Sequence, residues 1–408
     1  MVARRTARPA LVVGAAFVIL ASALALIWFY QPQNTEGPAS LKAVSFADLP
    51  GWQTSDARLA LEAFGRSCAQ IQQRPRGESM GGNGYGGSVA DWISVCASLP
   101  RPSTPGAARD WFERNFVPYA VGSGLSHSAL FTGYYEPELR GARIRHGAFQ
   151  TPVYGLPFDL IEVDLGAFHP NLHGEHIAGR LERNRLVPYL TRAEIDREGL
   201  RTAPILFFSN DPAGVFFLQI QGSGRVRLED GVMRRVAYAG QNGRDYTAVG
   251  RILVRDGVLE KSQLSLQSIR NWMDAHPAKA REVMEQDESY VFFKELPIGD
   301  PSLGSPGAQG VALTPAASFA VDNRIHPLGA PFYIVASVPD RNPARPENPL
   351  AGLFVAQDIG GAIRGPLRGD LFFGYGNEAE SMAGRMKANG KMYVLLPKTL
   401  AARGLPTS

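Results

Sequence analysis

Hydrophobic and polar positions alternate in distinct ways along the chain. Pro9–Tyr30 is almost unbroken apolar sequence (PALVVGAAFVILASALALIWFY), followed by a polar linker over residues 31–44. Between residues 55 and 75, Leu59, Leu61, Ala63, Phe64, Cys68 and Ile71 recur at intervals of three and four, which predicts a helix. A second helix is expected near Val89–Leu99, and Pro105 opens a third with Trp111, Phe112, Phe116 and Tyr119 on its apolar face. The glycine-rich stretch between the first two (GGNGYGG) has no following GK[ST] and no preceding strand, and reads as a flexible connection. From Leu130 onward the pattern shifts to short apolar runs bounded by Gly, Pro and Asn: LFTGYYEP, FQTPVYGL, PILFFSN, GVFFLQIQGSG and RVAYAGQNG. These predict strands and turns. Helical periodicity returns at Tyr246 and ends near Ser289, after which YVFFKE, GVALTP, FAVD, PFYIVASV, LFVAQDIG, DLFFGYG and KMYVLLP are again strand-like.

Two β-rich blocks separated by helices imply a mainly β protein with flanking helices, of the α+β class. The simplest organisation has two barrel-like domains. A smaller one, residues 138–238, is inserted into a larger one built from residues 45–137 and 239–400. Phe207, Phe208, Phe216 and Phe217 are expected in the core.

Composition changes this picture in two places. Lys and Arg number 42 against 38 Asp and Glu, and Arg4, Arg5 and Arg8 precede the apolar run, so the body is close to neutral. It lacks the basic footprint of a nucleic-acid binder. Ala10–Tyr30, 21 residues, would span about 31 Å as a helix, enough to cross a hydrocarbon core. The flanking arginines place the N-terminus in the cytoplasm and export the rest. Residues 1–30 are thus expected to be a retained membrane anchor, the alternative being a cleaved signal ending at Ala21-Ser22-Ala23. In that oxidising compartment Cys68 and Cys96, the only cysteines, either form one disulfide or remain two buried thiols. His169, His173 and His176 lack metal-ligand spacing, and no cofactor or metal is indicated.

Candidate chemistry lies in the last block. Asp322, Asp358 and Asp370 each adjoin an apolar strand-like run and are expected at strand ends, where a barrel presents its mouth. Gly360, Gly361, Gly365 and Gly369 separate the last two, a density that lets backbone approach a bulky ligand. The competing reading is that Asp358 and Asp370 form turns through nearby backbone N–H groups. Tyr134, Tyr135, Gln219, Gln221 and Ser223 supply the aromatic faces, amides and hydroxyls that sugar binding uses, and Gly222 and Gly224 keep backbone N–H groups accessible. Thr132 and Ala362 complete the candidate substrate-binding set.

The segments GYYEP (133–137), QIQGSGRVRLEDG (219–231), YAGQNGRDYTAVGRIL (238–253), SYVFF (289–293), AQDIGGAI (356–363), GDLFFGYGNEAESMAGRM (369–386) and VLLPK (394–398) occur in that order. They resemble the membrane-bound lytic murein transglycosylase A family, with its C-terminal three-aspartate module. The resemblance implies a double-psi β-barrel domain, a smaller β-barrel domain, and a groove between them for a glycan strand of peptidoglycan. It implies cleavage of the β-1,4 bond from N-acetylmuramic acid to N-acetylglucosamine without water, leaving a 1,6-anhydromuramic end. By motif position the catalytic aspartate falls on Asp370, with Asp358 and Asp322 supporting. Two departures stand out: the Asp358–Asp370 interval is one residue longer, and the lipidated cysteine is missing, which shifts the anchor to an inner-membrane helix. The rival readings are an expansin-like protein that binds and loosens peptidoglycan without cutting it, and a hydrolase that uses water.

Overall fold

The computed structural model describes residues 39–101, 104–172 and 176–404. The expected anchor, residues 1–30, and His173 lie outside these. No helix among the described residues is long and apolar enough to cross a membrane.

The first three helices fall where the periodicity puts them, at Arg58–Ile71, Val89–Ala97 and Pro105–Asn115. Thr104 caps the third, its hydroxyl accepting from the Ala107 N–H at 3.2 Å, with Pro105 in the first turn. That helix ends at Asn115, so Phe116 and Tyr119 belong to a strand rather than to its apolar face. Cys68 and Cys96 are joined by a disulfide that ties the first two helices together.

Before the small domain come β1 (Ala39–Ala43), β2 (Phe116–Ser123) and β3 (Ala129–Glu136). The smaller domain supplies β4 (Glu138–Ala142), β5 (Thr151–Tyr154), β6 (Ile161–Asp164), β7 (His176–Glu182), β8 (Arg185–Pro188), β9 (Ile205–Ser209), β10 (Ser223–Leu228), β11 (Met233–Gln241) and β12 (Val291–Leu296). The last block gives β13 (Ser318–Val321), β14 (Pro331–Val338), β15 (Asn348–Ile359), β16 (Arg368–Tyr375) and β17 (Lys387–Pro397). GVALTP forms no strand.

Six strands pair in the order β17-β14-β15-β13-β16-β3, and β3 pairs back onto β17, which closes a barrel. Strands β2 and β1 extend it from β17. Its interior is filled by Phe131, Phe319, Val321, Phe332, Val355, Leu371 and Val394, all at most 1% exposed, and the three N-terminal helices bury Phe64, Trp92 and Phe112 against the same core.

The second sheet runs β12-β11-β10-β4-β9-β5, and a parallel bridge from Gly155 to Phe293 brings its two ends together. The sheet continues past residue 238: β11 runs on to Gln241, and β12, drawn from sequence assigned to the larger domain, pairs along it. A separate antiparallel sheet, β6-β7-β8, completes the insertion.

The run GVFFLQIQGSG differs from its strand expectation. Pro212–Gln221 is a helix and only Ser223 onward is β-strand. The Asp211 side chain accepts from the Gly214 N–H at 2.8 Å, Pro212 occupies the first turn, and Gly222 stops the helix at φ +77°. The helix is buried almost all round, so its apolar run has no polar face to betray its period.

Candidate active site

Two of the three aspartates share one row of the barrel wall. In β16, Asp370 lies opposite Ala320 of β13, and in β15, Asp358 lies opposite the same Ala320 on the other side. On its far side Asp370 pairs with Thr132 of β3. The row therefore reads Thr132, Asp370, Ala320, Asp358. The acids stand two inter-strand spacings apart, about 9–10 Å between backbones. A β-bulge makes this possible: the β13–β15 register shifts so that Phe319 faces Ala356 and Ala320 faces Asp358. The extra residue, Gln357, turns inward. It is fully buried, donates to the Ala63 carbonyl at 2.7 Å and the Ser67 hydroxyl at 2.8 Å, and accepts from Ser318. Bulges commonly re-aim a side chain in this way.

The aspartates lie at or beside strand ends: Asp322 follows β13, Asp358 is one residue from the end of β15, and Asp370 is the third residue of β16. Gly369 and Leu371 face the core, so Asp370 between them projects from the opposite face of the wall, the face that Ala320 and its other partner Asp358 share. Both are half-buried.

Their surroundings differ. Asp370 accepts from the Thr132 hydroxyl at 2.5 Å, and Arg368 donates to that same hydroxyl at 2.9 Å. Asp358 accepts from the backbone N–H groups of Ala308 and Ile359, each at 2.9 Å, and from the Tyr134 hydroxyl at 3.0 Å. Burial pushes the Asp358 carboxyl up to about 6; its three donors oppose the shift and the Asp370 charge adds to it. Burial raises Asp370 as well, against the pull of Thr132 and Arg368.

Asp322 takes no place in that row. It is fully buried and binds Arg324 at 2.8 Å and the Gly365 N–H at 2.9 Å. Burial pushes its carboxyl up, but these partners outweigh it and hold the group below its ordinary value. Its place is beneath the loop that joins Asp358 to Asp370.

The remaining candidates divide. Tyr134 packs on Phe372 with ring centroids 5.1 Å apart and turns its hydroxyl to Asp358. Burial lifts that hydroxyl well above its usual range, so it stays a donor. Tyr135 is buried under the helix Gly376–Arg385, against Ala379 and Ala383. The Gln221 side chain accepts from the Tyr135 N–H at 3.0 Å, linking the helix Pro212–Gln221 to β3. Gln219 lies inside the smaller domain, 5% exposed, as an acceptor for the buried Arg192. Gly222 and Ser223 are half-buried, and Gly224 is packed against the Pro137 carbonyl and Leu218. Gly360, Gly361 and Ala362 lie in the loop after Asp358. Gly361 and Ala362 are exposed, and a Cβ added at Gly361 would meet nothing within 4 Å.

Sequence reasoning missed Glu136, and the chain offers no local signal for it beyond a charge at the end of an apolar strand. It is fully buried where β3 crosses into the smaller domain. Arg225 of β10 binds it at 3.1 Å and Arg235 of β11 at 3.4 Å, while Ser305 donates to it through both N–H and hydroxyl.

Comparison with known proteins follows the same division. Residues 130–294 match the MltA specific insert domain, and residues 317–396 match the 3D domain. Membrane-bound lytic murein transglycosylase A of Escherichia coli K12 is 34% identical over 269 residues, a match covering 65% of each chain. The match thus spans just under two thirds of that curated relative. A membrane-bound lytic murein transglycosylase from Agrobacterium tumefaciens superposes with a TM-score of 0.77 at 30% identity, over 89% of this chain and 99% of that one. E. coli MltA crystallised with bound chitohexaose superposes at 0.64 with 27% identity, over 90% and 97%. With the closed six-stranded barrel, the smaller inserted domain and these relatives, the chain belongs to the membrane-bound lytic murein transglycosylase A family and has its double-psi β-barrel fold.

Proposed function

We propose that this chain cleaves the β-1,4 bond between N-acetylmuramic acid and N-acetylglucosamine in peptidoglycan, leaving a 1,6-anhydromuramic end, with Asp370 as the single acid/base. The observation that carries the reading is the pair of up-shifted carboxyls flanking Ala320 on one face of the barrel wall. Bound chitohexaose in the E. coli relative supports a β-1,4-linked amino-sugar strand as the ligand.

Asp358 gathers two backbone N–H groups and a tyrosine hydroxyl, an arrangement suited to the ionised form. Burial favours the protonated form of Asp370. Protonated Asp370 donates its hydrogen to the glycosidic oxygen as the bond from that oxygen to the muramic C1 breaks. Positive charge grows at C1 and the ring oxygen, within the field of the Asp358 carboxylate. The sugar's own C6 hydroxyl closes on C1, and its proton passes to the Asp370 carboxylate, which restores the acid. No water enters the balance, and no second protein nucleophile is used, unlike ordinary glycoside hydrolysis. Thr132 and Arg368 orient Asp370; Tyr134 orients Asp358. Gln221, Ser223, Gly360, Gly361 and Ala362 are the proposed glycan contacts around this centre, while Gln219 acts from within the small domain. Asp322 contributes by holding the connecting loop.

Product analysis on purified sacculi tests the assignment. The wild-type chain should release anhydromuramic ends, and Asp370→Asn should lower the rate by about 10²–10⁴-fold. Reducing ends would indicate a hydrolase. Wall loosening that survives Asp370→Asn with no new ends would indicate an expansin-like binder. The same reading places the body on the exported side of the envelope, held by residues 10–30. Membrane fractions should then retain the chain after alkaline carbonate extraction.

A further inference from the structure

The glycine-rich stretch between the first two helices takes no part in the chemistry above, yet it is packed against the turn whose His326 holds the loop that delivers Asp370. Gly82 has φ +68°, and a Cβ there would come within 2.4 Å of the Pro327 nitrogen; at Gly86 it would come within 2.8 Å of the Pro327 ring. Trp92 donates to the Gly86 carbonyl at 2.8 Å. Far from a flexible connection, the stretch is fitted to the turn that carries His326.

Between these glycines stands Tyr85, 5% exposed, with its hydroxyl 2.6 Å from Nδ1 of the fully buried His326. His326 Nε2 lies 2.8 Å from the Pro366 carbonyl. A carbonyl only accepts, so Nε2 carries the proton and Nδ1 accepts from Tyr85. Both ring nitrogens are committed, and the ring is neutral. Burial holds His326 down to about 4, against the opposing pull of the Pro366 carbonyl and Asp322. The neighbouring loop positions are tied as well. Gly365 donates to Asp322 at 2.9 Å, and the Leu367 carbonyl accepts from the Leu130 N–H at 2.9 Å. Strand β16 begins at the next residue, Arg368.

We infer that Tyr85 and His326 are positioning residues for Asp370, fixing where the loop enters β16 and hence the register that sets Asp370 opposite Thr132. This rests on the assignment of Asp370 as the acid/base. The three successive ties at Gly365, Pro366 and Leu367 leave the loop little freedom, and the middle one reaches back through His326 to Tyr85. A misplacement of about 1 Å at a reacting group costs on the order of 10²-fold in rate.

The test compares Tyr85→Phe, His326→Leu, His326→Gln and Asp370→Asn in the full chain. Turnover of a soluble peptidoglycan glycan strand is measured below each variant's Tm. Tyr85→Phe should lower kcat by about 5–20-fold and His326→Leu by about 30–100-fold, with KM within about twofold of wild type. His326→Gln keeps an amide N–H for the Pro366 carbonyl and should regain most of the His326→Leu loss. A lower Tm with unchanged kcat, or a glutamine no better than leucine, overturns the inference. Should His326→Leu fail to fold, Tyr85→Phe, which removes one oxygen, decides the matter alone. An active Asp370→Asn defeats the underlying assignment. An inactive Asp370→Asn beside wild-type kcat in Tyr85→Phe and His326→Gln defeats only this inference.

Discussion

Asp358 and Asp370 meet across a single alanine, and three expectations follow at that scale. Asn at 370 removes the negative neighbour that adds to the Asp358 shift, so Asp358 ionises more easily and its pKa falls from about 6. A carboxyl NMR titration of Asp370→Asn should place the Asp358 midpoint at lower pH than in the wild-type chain; an unmoved midpoint refutes the coupling. Ala320 is 3% exposed and packs with Tyr134 and Phe372 between the acids. Ala320→Leu should abolish turnover at an almost unchanged circular-dichroism spectrum, because it fills the space beside both carboxyls without removing either. His326 concerns stability. Its ring is neutral when folded and titrates at about 4 there, against 6.5 when unfolded. Between those values the unfolded chain binds more protons, so stability is full above pH 6.5 and falls as pH drops toward 4. The loss is about 3 kcal/mol at most. Urea denaturation at stepped pH should show that slope, and His326→Gln should flatten it.

At the scale of elements, backbone conformation decides what a substitution does. Gly82→Ala places a Cβ at a left-handed φ and against backbone, and should cost about 2 kcal/mol or more by thermal unfolding. The disulfide closes a separation of 28 residues, and its replacement by alanines should cost roughly 3–4 kcal/mol on a chain-entropy estimate. Elements with a clear period were legible. The helices at Arg58–Ile71, Val89–Ala97 and Pro105–Asn115 announce themselves by amphipathic spacing and a proline start. PFYIVASV and KMYVLLP likewise become barrel strands. The helix Pro212–Gln221 was hidden because burial on every side erases the period, although Asp211, Pro212 and Gly222 were visible as its punctuation. The glycine-rich stretch was misjudged for a related reason. Glycines that permit mobility and glycines that permit close contact look identical until the partner, here Pro327, is known. The spacing of Asp358 and Asp370 said nothing of their adjacency, since the bulge at Gln357 that aligns them depends on β13, a partner strand far upstream in the chain.

For the whole molecule, the junction between the two sheets is built on buried charge. Glu136→Gln leaves Arg225 and Arg235 buried beside a neutral partner, and should lower unfolding free energy by about 3–5 kcal/mol in denaturant titration. Two separate sheets were legible from the alternation of β-rich and helical blocks. The contribution of β12 to the smaller sheet was not, because a strand's choice of neighbour is a long-range matter. The crossing itself has a mechanical side. Strand β3 carries Thr132 against Asp370, Tyr134 against Asp358, the Tyr135 N–H against Gln221, and Glu136 clasped by two arginines of the smaller barrel. The partners of both acids and the anchor to the smaller domain thus lie on one strand. A displacement of the smaller domain would therefore reach the partners of both acids within a few residues of β3.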